Sequence, residues 1–327
     1  MTTKTAIFGI LMLLFNNIIA TAQNDTVKTK REYVAYTLFY NVVPDQFNYP
    51  LVGFVNIAKG NHKGLQLGFV NTTLKDFKGL QIGFVNTTLG NLSGIKLGFV
   101  NTTLQNAKGL QLGFINTTLG NSSGAKLGFV NTAIQNTNGL QLGFVNIARK
   151  GIKGSQIGFI NVADTVSNGV PIGFLSIVKK GGYRAIELSV NELYLFNMAF
   201  KIGVPRFYSF VQGSYHYNYS NPFALGVGFG SLISLGKNFY FNPEISNLPS
   251  MPFNNNANTT ILATNVRYSI NSKLQLAAGL SAVWLNYPQG ENMYDPPFFS
   301  LVNHEINTRN RILAGARIAL SFNFTDL

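Results

Sequence analysis

A fifteen-residue repeat fills most of the first half of the sequence. The pair Gly-Phe recurs every 15 residues without an insertion, and one complete unit reads GLQLGFVNTTLKDFK, from Gly64 to Lys78. Its nine copies are marked by Gly53, Gly68, Gly83, Gly98, Gly113, Gly128, Gly143, Gly158 and Gly173. Such regularity predicts a single supersecondary unit that is copied along an array.

Each unit predicts a strand followed by a turn. Leu65, Leu67 and Phe69 alternate with other residue types at a period of two, which is typical of a strand with two different faces. The next residues are rich in Lys, Asn, Gly and Ser, which are common turn formers. Two glycines per unit and many β-branched residues argue against a helix.

Two architectures fit this unit. In a parallel β-solenoid each unit forms one coil, and asparagines such as Asn71, Asn86 and Asn101 stack as a ladder. In an antiparallel barrel each unit forms one wall strand of about ten residues, the length of a membrane-spanning β-strand. The turns also alternate in sequence with a period of 30 residues, as expected if successive turns lie at opposite ends of an up-and-down sheet; duplication of a 30-residue block is the alternative explanation. We therefore prefer the barrel and keep the solenoid as the alternative.

The second half of the chain, from Arg184 onward, predicts barrel strands without a repeat. In its last strand Leu320 and Phe322 alternate with Arg317 and Ser321, so one face suits lipid and the other suits a small or wet interior. Long polar segments alternate with tight turns, as in barrels that have long outer loops and short periplasmic turns. These long segments are 247–258 and 286–308.

Adding the N-terminal strand 33–43, nine repeats and eight later strands predicts an all-β protein. The preferred fold is an antiparallel outer-membrane β-barrel of about 18 strands that includes the nine 15-residue repeats. The alternative fold is a repeat β-solenoid plus a smaller C-terminal barrel.

The N-terminus has the pattern of a secretory signal peptide. Lys4 precedes an apolar core, and Ala20-Thr21-Ala22 is a small-residue cleavage motif, so we expect cleavage after Ala22. No later segment approaches 18 apolar residues, and membrane residence would therefore require a barrel. We expect export to the outer membrane of a Gram-negative bacterium. The predicted segments are the signal peptide 1–22, an N-terminal strand and linker 23–50, the β repeats 51–183 and the C-terminal barrel strands 184–327.

Composition and motifs restrict the chemistry. The chain has no Cys, and its three His are far apart in sequence, which excludes disulfides and cysteine nucleophiles and disfavours a metal site. No H-E-x-x-H motif occurs. Gly226, Gly228 and Gly230 form G-x-G-x-G, but they lie in a predicted strand with no helix after it, so they do not indicate a phosphate-binding loop. We predict no enzymatic activity, catalytic residue, cofactor or metal. Nucleic acid is not expected as a partner, because export separates the protein from it.

The basic residues are the candidate functional residues. The formal net charge is +13, and turn lysines such as Lys75 and Lys78 are expected to contact phosphates of outer-membrane lipids and lipopolysaccharide. Basic residues at strand positions on the presumed inner face predict a porin-like lumen that favours anions. The candidate lumen charges are Lys96, Lys126, Arg206, Arg267 and Arg317. The predicted function is a passive channel or a structural surface barrel; the alternative is a surface-exposed repeat adhesin or binding protein without transport activity.

The repeat also carries a family resemblance. The pattern G-Ø-Q-Ø-G-Ø-Ø-N, where Ø is apolar, resembles a family of bacterial surface-repeat outer-membrane proteins over the region from Val52 to Ser214. The resemblance implies an outer-membrane location more than an activity. The chain end, with Phe322 and Phe324, is similar to the signal that barrel-assembly machinery reads, although three residues, 325–327, follow it. The oligomeric state is left open.

Overall fold

The structure is a computed structural model that describes residues 34–217, 222–251, 257–287 and 300–325. The regular secondary structure assigned within these ranges consists of β-strands. The predicted signal peptide, 1–22, lies outside the described residues. Within the described ranges, no helix is long and apolar enough to cross a membrane.

The first twenty strands form a β-solenoid. They are β1 Ala35–Tyr36, β2 Tyr40–Val43, β3 Leu51–Val52, β4 Val55–Ala58, β5 His62–Leu67, β6 Val70–Thr73, β7 Phe77–Ile82, β8 Val85–Thr88, β9 Leu92–Leu97, β10 Val100–Thr103, β11 Ala107–Leu112, β12 Ile115–Thr118, β13 Ser122–Leu127, β14 Val130–Ala133, β15 Asn136–Leu142, β16 Val145–Ala148, β17 Gly151–Ile157, β18 Ile160–Thr165, β19 Pro171–Ile172 and β20 Leu175–Lys180. One odd-numbered and one even-numbered strand make each of nine coils, β3–β4 to β19–β20.

The coils stack in parallel and in register. The odd strands β3 to β19 form one sheet, and the even strands β2 to β20 form the other, with β1 added antiparallel at its end. Register partners are 15 residues apart, as Val70 and Val85 are. The all-β prediction is confirmed, and the architecture is the solenoid plus barrel that the sequence offered as its alternative. The preferred placement of the repeats as antiparallel wall strands is wrong.

Glycines explain why the chain can coil so tightly. Gly79 has a φ of 142°, and a Cβ on it would lie 2.0 Å from the carbonyl oxygen of Gly64 in the preceding coil. Gly79 lies within β7, and Gly83 repeats the constraint in the turn between β7 and β8, where a Cβ would lie 2.2 Å from the carbonyl oxygen of Gly68. Both glycines of the unit therefore permit the close approach of neighbouring coils.

The 30-residue alternation of the turns has a different origin from the one we expected. Successive turns lie on the same edge of the solenoid, since Asp76 Oδ1 accepts a hydrogen bond from the backbone N–H of Asn91 at 2.7 Å. Asn91 Oδ1 in turn accepts one from the N–H of Asn106 at 3.2 Å. The alternation therefore varies residues along one polar edge and does not mark opposite ends of a sheet.

The second half forms a closed antiparallel barrel of eight strands. The strands of this half are β21 Tyr183–Val190, β22 Phe196–Val204, β23 Phe207–Tyr215, β24 Phe223–Gly230, β25 Ile233–Gly236, β26 Phe239–Pro249, β27 Asn258–Ser269, β28 Leu274–Asn286, β29 Ser300–Asn307 and β30 Asn310–Asn323. The wall order is β21-β22-β23-β24-β26-β27-β28-β30, and pairing of β21 with β30 closes it. The short strands β25 and β29 extend β26 and β30 at their edges.

The last coil of the solenoid packs against the outside of the barrel. Val204, at an outward position of β22, is buried in a cluster with Val178 and Ile152 of the solenoid. Ser209 Oγ, at an outward position of β23, donates a hydrogen bond to the Phe174 carbonyl oxygen at 2.5 Å. The two parts therefore meet at the barrel end where β22 turns into β23.

Candidate functional site in the barrel interior

Five charged side chains from five strands meet inside the barrel. They form the ionic cluster, which consists of Glu187 on β21, Lys201 on β22, Glu244 on β26, Arg267 on β27 and Arg317 on β30. Each is at most 5% exposed. Because a barrel strand turns alternate residues inward, residues far apart in sequence converge at one level of the interior.

Glu187 is the centre of the ionic cluster. Its Oε2 lies 2.7 Å from Lys201 Nζ and 2.5 Å from Arg267 Nη2, and its Oε1 lies 2.7 Å from Arg317 Nη2. Glu244 contacts Lys201 and lies 3.0 Å from Arg317 Nη1. Buried charges are tolerated when paired and hydrogen-bonded in this way.

Neutral polar groups complete the partners of the ionic cluster. Asn242 Oδ1 accepts a hydrogen bond from Arg267 Nη2 at 2.7 Å, and Ser321 Oγ donates one to Glu187 Oε2 at 2.6 Å. The Tyr208 hydroxyl donates to Glu244, and its ring lies 5.4 Å from Lys201 Nζ. These contacts hold each charged group in one geometry.

The interior at this level is filled and nearly balanced in charge. Three cations face the carboxylates of Glu187 and Glu244, and a third buried carboxylate, Glu192, accepts a hydrogen bond from Ser281. A cavity lined by Glu244, Arg317 and their neighbours has a volume of about 10 Å³, close to the least that holds one water. The arrangement therefore holds strands together and leaves no room for a solute at this level.

The structure divides the predicted lumen residues among three places. Arg267 and Arg317 lie in the ionic cluster. Arg206 is exposed in the turn between β22 and β23. Lys96 and Lys126 are buried between the two sheets of the solenoid and do not lie in the barrel, because the repeats do not form its wall.

Sequence reasoning missed Glu187, Lys201 and Glu244, although their signal was present. Glu187 shares its phase along β21 with Ala185 and Ser189, whereas Ile186 and Leu188 occupy the opposite phase. A charged residue in phase with small residues, and out of phase with large apolar ones, is a candidate for the barrel interior.

The solenoid lysines have a different environment from those of the barrel. Lys126 Nζ donates hydrogen bonds to Thr118 Oγ1 at 2.6 Å and to the Thr132 carbonyl at 2.9 Å. Lys96 Nζ donates to Thr103 Oγ1 at 3.1 Å and to the Thr102 carbonyl. Neither forms a salt bridge with another residue of the described ranges.

Burial without a counter-ion changes the ionisation of these two lysines. Burial lowers the pKa of Lys126 to about 7. Burial, and then the nearby charge of Lys126, lower the pKa of Lys96 well below its ordinary value. An uncompensated buried ammonium is disfavoured because the interior solvates it poorly.

The histidines stay apart in the folded chain. His62 lies inside the first coils, with Nδ1 2.6 Å from the Phe47 carbonyl oxygen, and burial lowers its pKa. His216 is buried at the end of β23, and His304 is exposed on β29. Across the residues that the structure describes, no three His, Cys, Asp or Glu side chains are grouped as metal ligands.

Comparison with known protein families, with curated proteins and with solved structures finds no match to this chain. The fold and the interior therefore define its class directly: an all-β protein in which a nine-coil parallel solenoid adjoins a closed eight-stranded barrel.

Proposed function

We propose that the protein is an integral outer-membrane protein in which the barrel is a closed anchor for the solenoid. The observation that carries this proposal is the distribution of charge across the barrel wall. Apart from Arg184 near the start of β21, the eight wall strands described have no charged side chain on their outer face. Their outward positions are mostly apolar, including Ile186, Leu188, Phe200, Val227, Ile245, Leu262, Val266, Leu276, Leu280, Ile318, Leu320 and Phe322.

This distribution supports lipid as the surroundings of the barrel. In a membrane-spanning barrel, strands alternate between apolar outward and polar inward residues. A barrel in water would instead need a polar outer face, since contiguous exposed apolar patches are rare on soluble proteins. A closed barrel also leaves no unpaired strand edge in the hydrocarbon.

The connections support one orientation. The tight turns 205–206 and 270–273, and the connection 231–238 that contains β25, lie at the same end as the start of β21 and the end of β30. The opposite end carries the connections 191–195, 216–222, 250–257 and 287–309, of which the last is the longest in the barrel. Outer-membrane barrels have short periplasmic turns and longer outer loops, so this orientation places the solenoid on the periplasmic side after export and signal-peptide cleavage.

The filled interior favours an anchor over a channel. Eight strands enclose a space that side chains can fill, whereas aqueous pores belong to barrels with more strands. The charges of the ionic cluster are also paired with one another and do not form a free basic lining that would attract anions. The same orientation places the repeats away from the cell surface, so a surface adhesin would have to bind through the long loops.

Two partners follow from this proposal. Lipids, including lipopolysaccharide, would contact the outer face of the barrel. The barrel-assembly machinery would recognise β30, whose outward Leu320 and Phe322 continue into Phe324.

A paired substitution tests whether the barrel wall contacts lipid. Val266 points outward and is 49% exposed, and Arg or Lys near the bilayer midplane costs about 2–4 kcal/mol. We expect Val266→Arg to lower the free energy of unfolding in phospholipid vesicles by this amount. The control is Thr308→Arg at the tip of the β29–β30 hairpin, where the side chain is exposed, and it should have little effect. Equal effects, or recovery of the wild-type protein in the soluble fraction after membrane fractionation, would contradict the proposal.

Planar-bilayer recording tests the closed interior. We expect the inserted wild-type protein to show no steady ion conductance, because the ionic cluster fills the barrel. A steady conductance that changes with Arg317→Gln would show that ions pass the cluster and would favour a channel instead.

A further inference from the structure

One edge of the solenoid carries a continuous column of phenylalanines. Successive rings, such as those of Phe99 and Phe114, are 4.9 Å apart at their centroids and 2° from parallel. Most of these side chains are about 45% exposed. The Phe column consists of Phe54, Phe69, Phe84, Phe99, Phe114, Phe129, Phe144, Phe159 and Phe174.

Apolar columns lie on both sides of the Phe column. In the coil of Phe114, Leu110 and Leu112 lie on the outer face of one sheet and Ile115 lies on the outer face of the other. The same positions are uncharged in every coil from Leu65 to Leu175, and Ser155 is the one polar residue among them. The apolar surface therefore wraps around an edge and is convex.

The apolar surface is large for a protein in water. At about 4.8 Å per coil and a width of about 20 Å, it covers on the order of 800 Å², more than the roughly 300–600 Å² of the largest patch on a typical soluble monomer. The side chains behind it are polar, with Gln111 and Asn116 fully enclosed between the sheets. The solenoid thus shares the polar interior and apolar exterior of the barrel.

The geometry of the rings restricts what can bind there. Each internal Phe has its ring faces against the two neighbouring rings, so only ring edges point outward. Sugars and cations bind aromatic faces, and these faces are already occupied. The outward surface offers non-directional apolar contact, and its convex shape suits acyl chains, which adapt to any contour.

The surface also runs into the outer wall of the barrel. Phe174 is the last member of the Phe column, and its backbone carbonyl oxygen accepts a hydrogen bond from the outward Ser209 Oγ of β23. Arg184 Nη2, also at an outward position, donates to the Val178 carbonyl at 3.0 Å. The last coil therefore covers the outside of the wall at its short-turn end, which is the level where the barrel would leave the membrane.

We infer that the Phe edge of the solenoid inserts into the periplasmic leaflet of the same membrane, with its apolar columns among the phospholipid acyl chains. This inference rests on the proposed membrane location of the barrel. The opposite edge, with Lys75, Gln105 and Lys150 exposed, faces water and the phosphate layer. The solenoid is then a second membrane-contacting element, held beside the barrel.

Single-tryptophan quenching tests this inference in the full-length protein. Trp284 is the only Trp of the chain and points outward from the barrel wall. In a Trp284→Phe background, Phe114→Trp reports from the Phe edge and Gln105→Trp reports from the opposite edge. Each protein is inserted into phosphatidylethanolamine and phosphatidylglycerol vesicles that contain lipid brominated on its acyl chains, which quenches Trp on contact.

The outcomes separate this inference from the proposed function. We expect Phe114→Trp and wild-type Trp284 to lose most of their emission, while Gln105→Trp keeps its emission. Quenching of Trp284 without quenching of Phe114→Trp overturns the inference and leaves the barrel in the membrane. An unquenched Trp284 overturns the membrane location itself.

A second reporter keeps the inference testable if the Trp variant does not fold, and it also detects association between copies of the protein. The chain has no Cys, so Phe114→Cys gives a single thiol. We expect vesicle insertion to protect this thiol from a water-soluble maleimide, while Gln105→Cys is labelled. Labelling of both thiols overturns the inference. Protection that depends on protein concentration, together with cross-links between copies through residue 114, overturns it in favour of self-association.

Discussion

The solenoid and the barrel both enclose polar side chains and expose apolar ones, but they satisfy the enclosed groups differently. In the solenoid, identical amides bond to each other, as when Asn86 Nδ2 donates to Asn101 Oδ1 at 2.9 Å. In the barrel, unlike charges bond, as Glu187 does with Arg267 and Arg317. One interior is a ladder of a single residue type, and the other is a network of opposite charges.

Strand pairing explains this difference. A parallel in-register stack places residues 15 apart next to each other, and in this repeat they are usually the same residue. A charge would then face a like charge, whereas an amide can donate on one side and accept on the other. Antiparallel strands bring unlike residues together, so the barrel can pair its charges. The two buried lysines of the solenoid are accordingly separated by Gln111, and neither has a counter-ion among the residues that the structure describes.

The largest expected effect is the loss of the centre of the ionic cluster. Glu187→Ala leaves Lys201 and Arg317 with Glu244 as their remaining carboxylate partner within the cluster, and leaves Arg267 with none there. Breaking a buried ion pair costs about 3–5 kcal/mol. We therefore expect the free energy of unfolding of the barrel, measured with urea in vesicles, to fall by this amount. Glu305→Ala is the control, because Glu305 is exposed on β29 and its loss should be nearly neutral. Similar effects of the two variants would refute a structural role for the cluster.

The solenoid should be most sensitive at its glycine columns. Gly109 has a φ of 126°, and a Cβ there would lie 2.0 Å from the Gly94 carbonyl oxygen. Backbone strain and overpacking together predict a loss of about 2–4 kcal/mol for Gly109→Ala. Hydrogen–deuterium exchange of the solenoid amides measures it. Gly213→Ala in the barrel is the matched control, since, apart from its chain neighbours, no atom of the described residues lies within 4 Å of its Cβ position, and protection should remain unchanged there.

The amide ladder should have a smaller effect. Asn116 Nδ2 donates at 2.9 Å to both Leu127 O and Asn131 Oδ1, and Asn116 Oδ1 accepts from Asn101. Asn116→Ala leaves buried groups without partners, which costs about 1–3 kcal/mol. Asn106→Ala removes a similar contact on the exposed edge, where water replaces it. Hydrogen exchange should therefore accelerate around residue 116 and stay nearly unchanged around residue 106.

The smallest expected effect, per unit of pH, is a dependence of the stability of the solenoid on pH. Lys126 has a folded-state pKa of about 7 and an ordinary value of 10.5. The unfolded state therefore binds more protons between these values, and the stability of the solenoid rises as pH rises through this window. The slope is up to about 1.4 kcal/mol per pH unit. Below pH 7 the destabilisation is complete and constant.

A conservative substitution sharpens this test. Lys126→Gln restores the residue found in the neighbouring coils at Gln111 and Gln141. We expect it to stabilise the solenoid at pH 7 and to reduce the pH slope, which hydrogen exchange at several pH values would detect. Lys108→Gln, on the exposed face, should leave the slope unchanged. An unaltered slope in Lys126→Gln would contradict an uncompensated buried charge.

The sequence indicated the strands, their period and the position where the repeat ends, but not the direction of pairing. Alternation in Leu65–Phe69 is the same in parallel and antiparallel sheets, so it cannot decide between them. Nor did the alternation indicate that polar residues would form the interior of the coils. Gln66, Asn71 and Thr73 are fully buried there, since stacking gives each amide a partner of its own kind.

The candidate site was predictable in part, because alternation along a strand shows which residues share a face. Arg267 and Arg317 were placed inward from the alternation of barrel strands, and the structure has them there. The same reasoning misplaced Lys96 and Lys126, because it assigned their strands to the barrel wall and they belong to the solenoid. Arg206 lies in a turn. The alternation could also have placed Glu187 and Glu244 inward, but their pairing with Arg317 needed the three-dimensional register, because no local pattern connects residues that lie 73 and 130 positions apart.

Thiol cross-linking between coils tests most directly the central claim that a parallel solenoid precedes a closed barrel. Thr72 and Thr87 are partners in parallel register on an outer face, about 4.8 Å apart. An antiparallel hairpin through residues 75–78 would instead pair Thr72 with Gln81. In this cysteine-free chain, we predict that a short dithiol-bridging reagent joins Thr72→Cys to Thr87→Cys and fails with Thr72→Cys and Gln81→Cys. The reverse result would contradict the solenoid and return the repeats to the barrel wall.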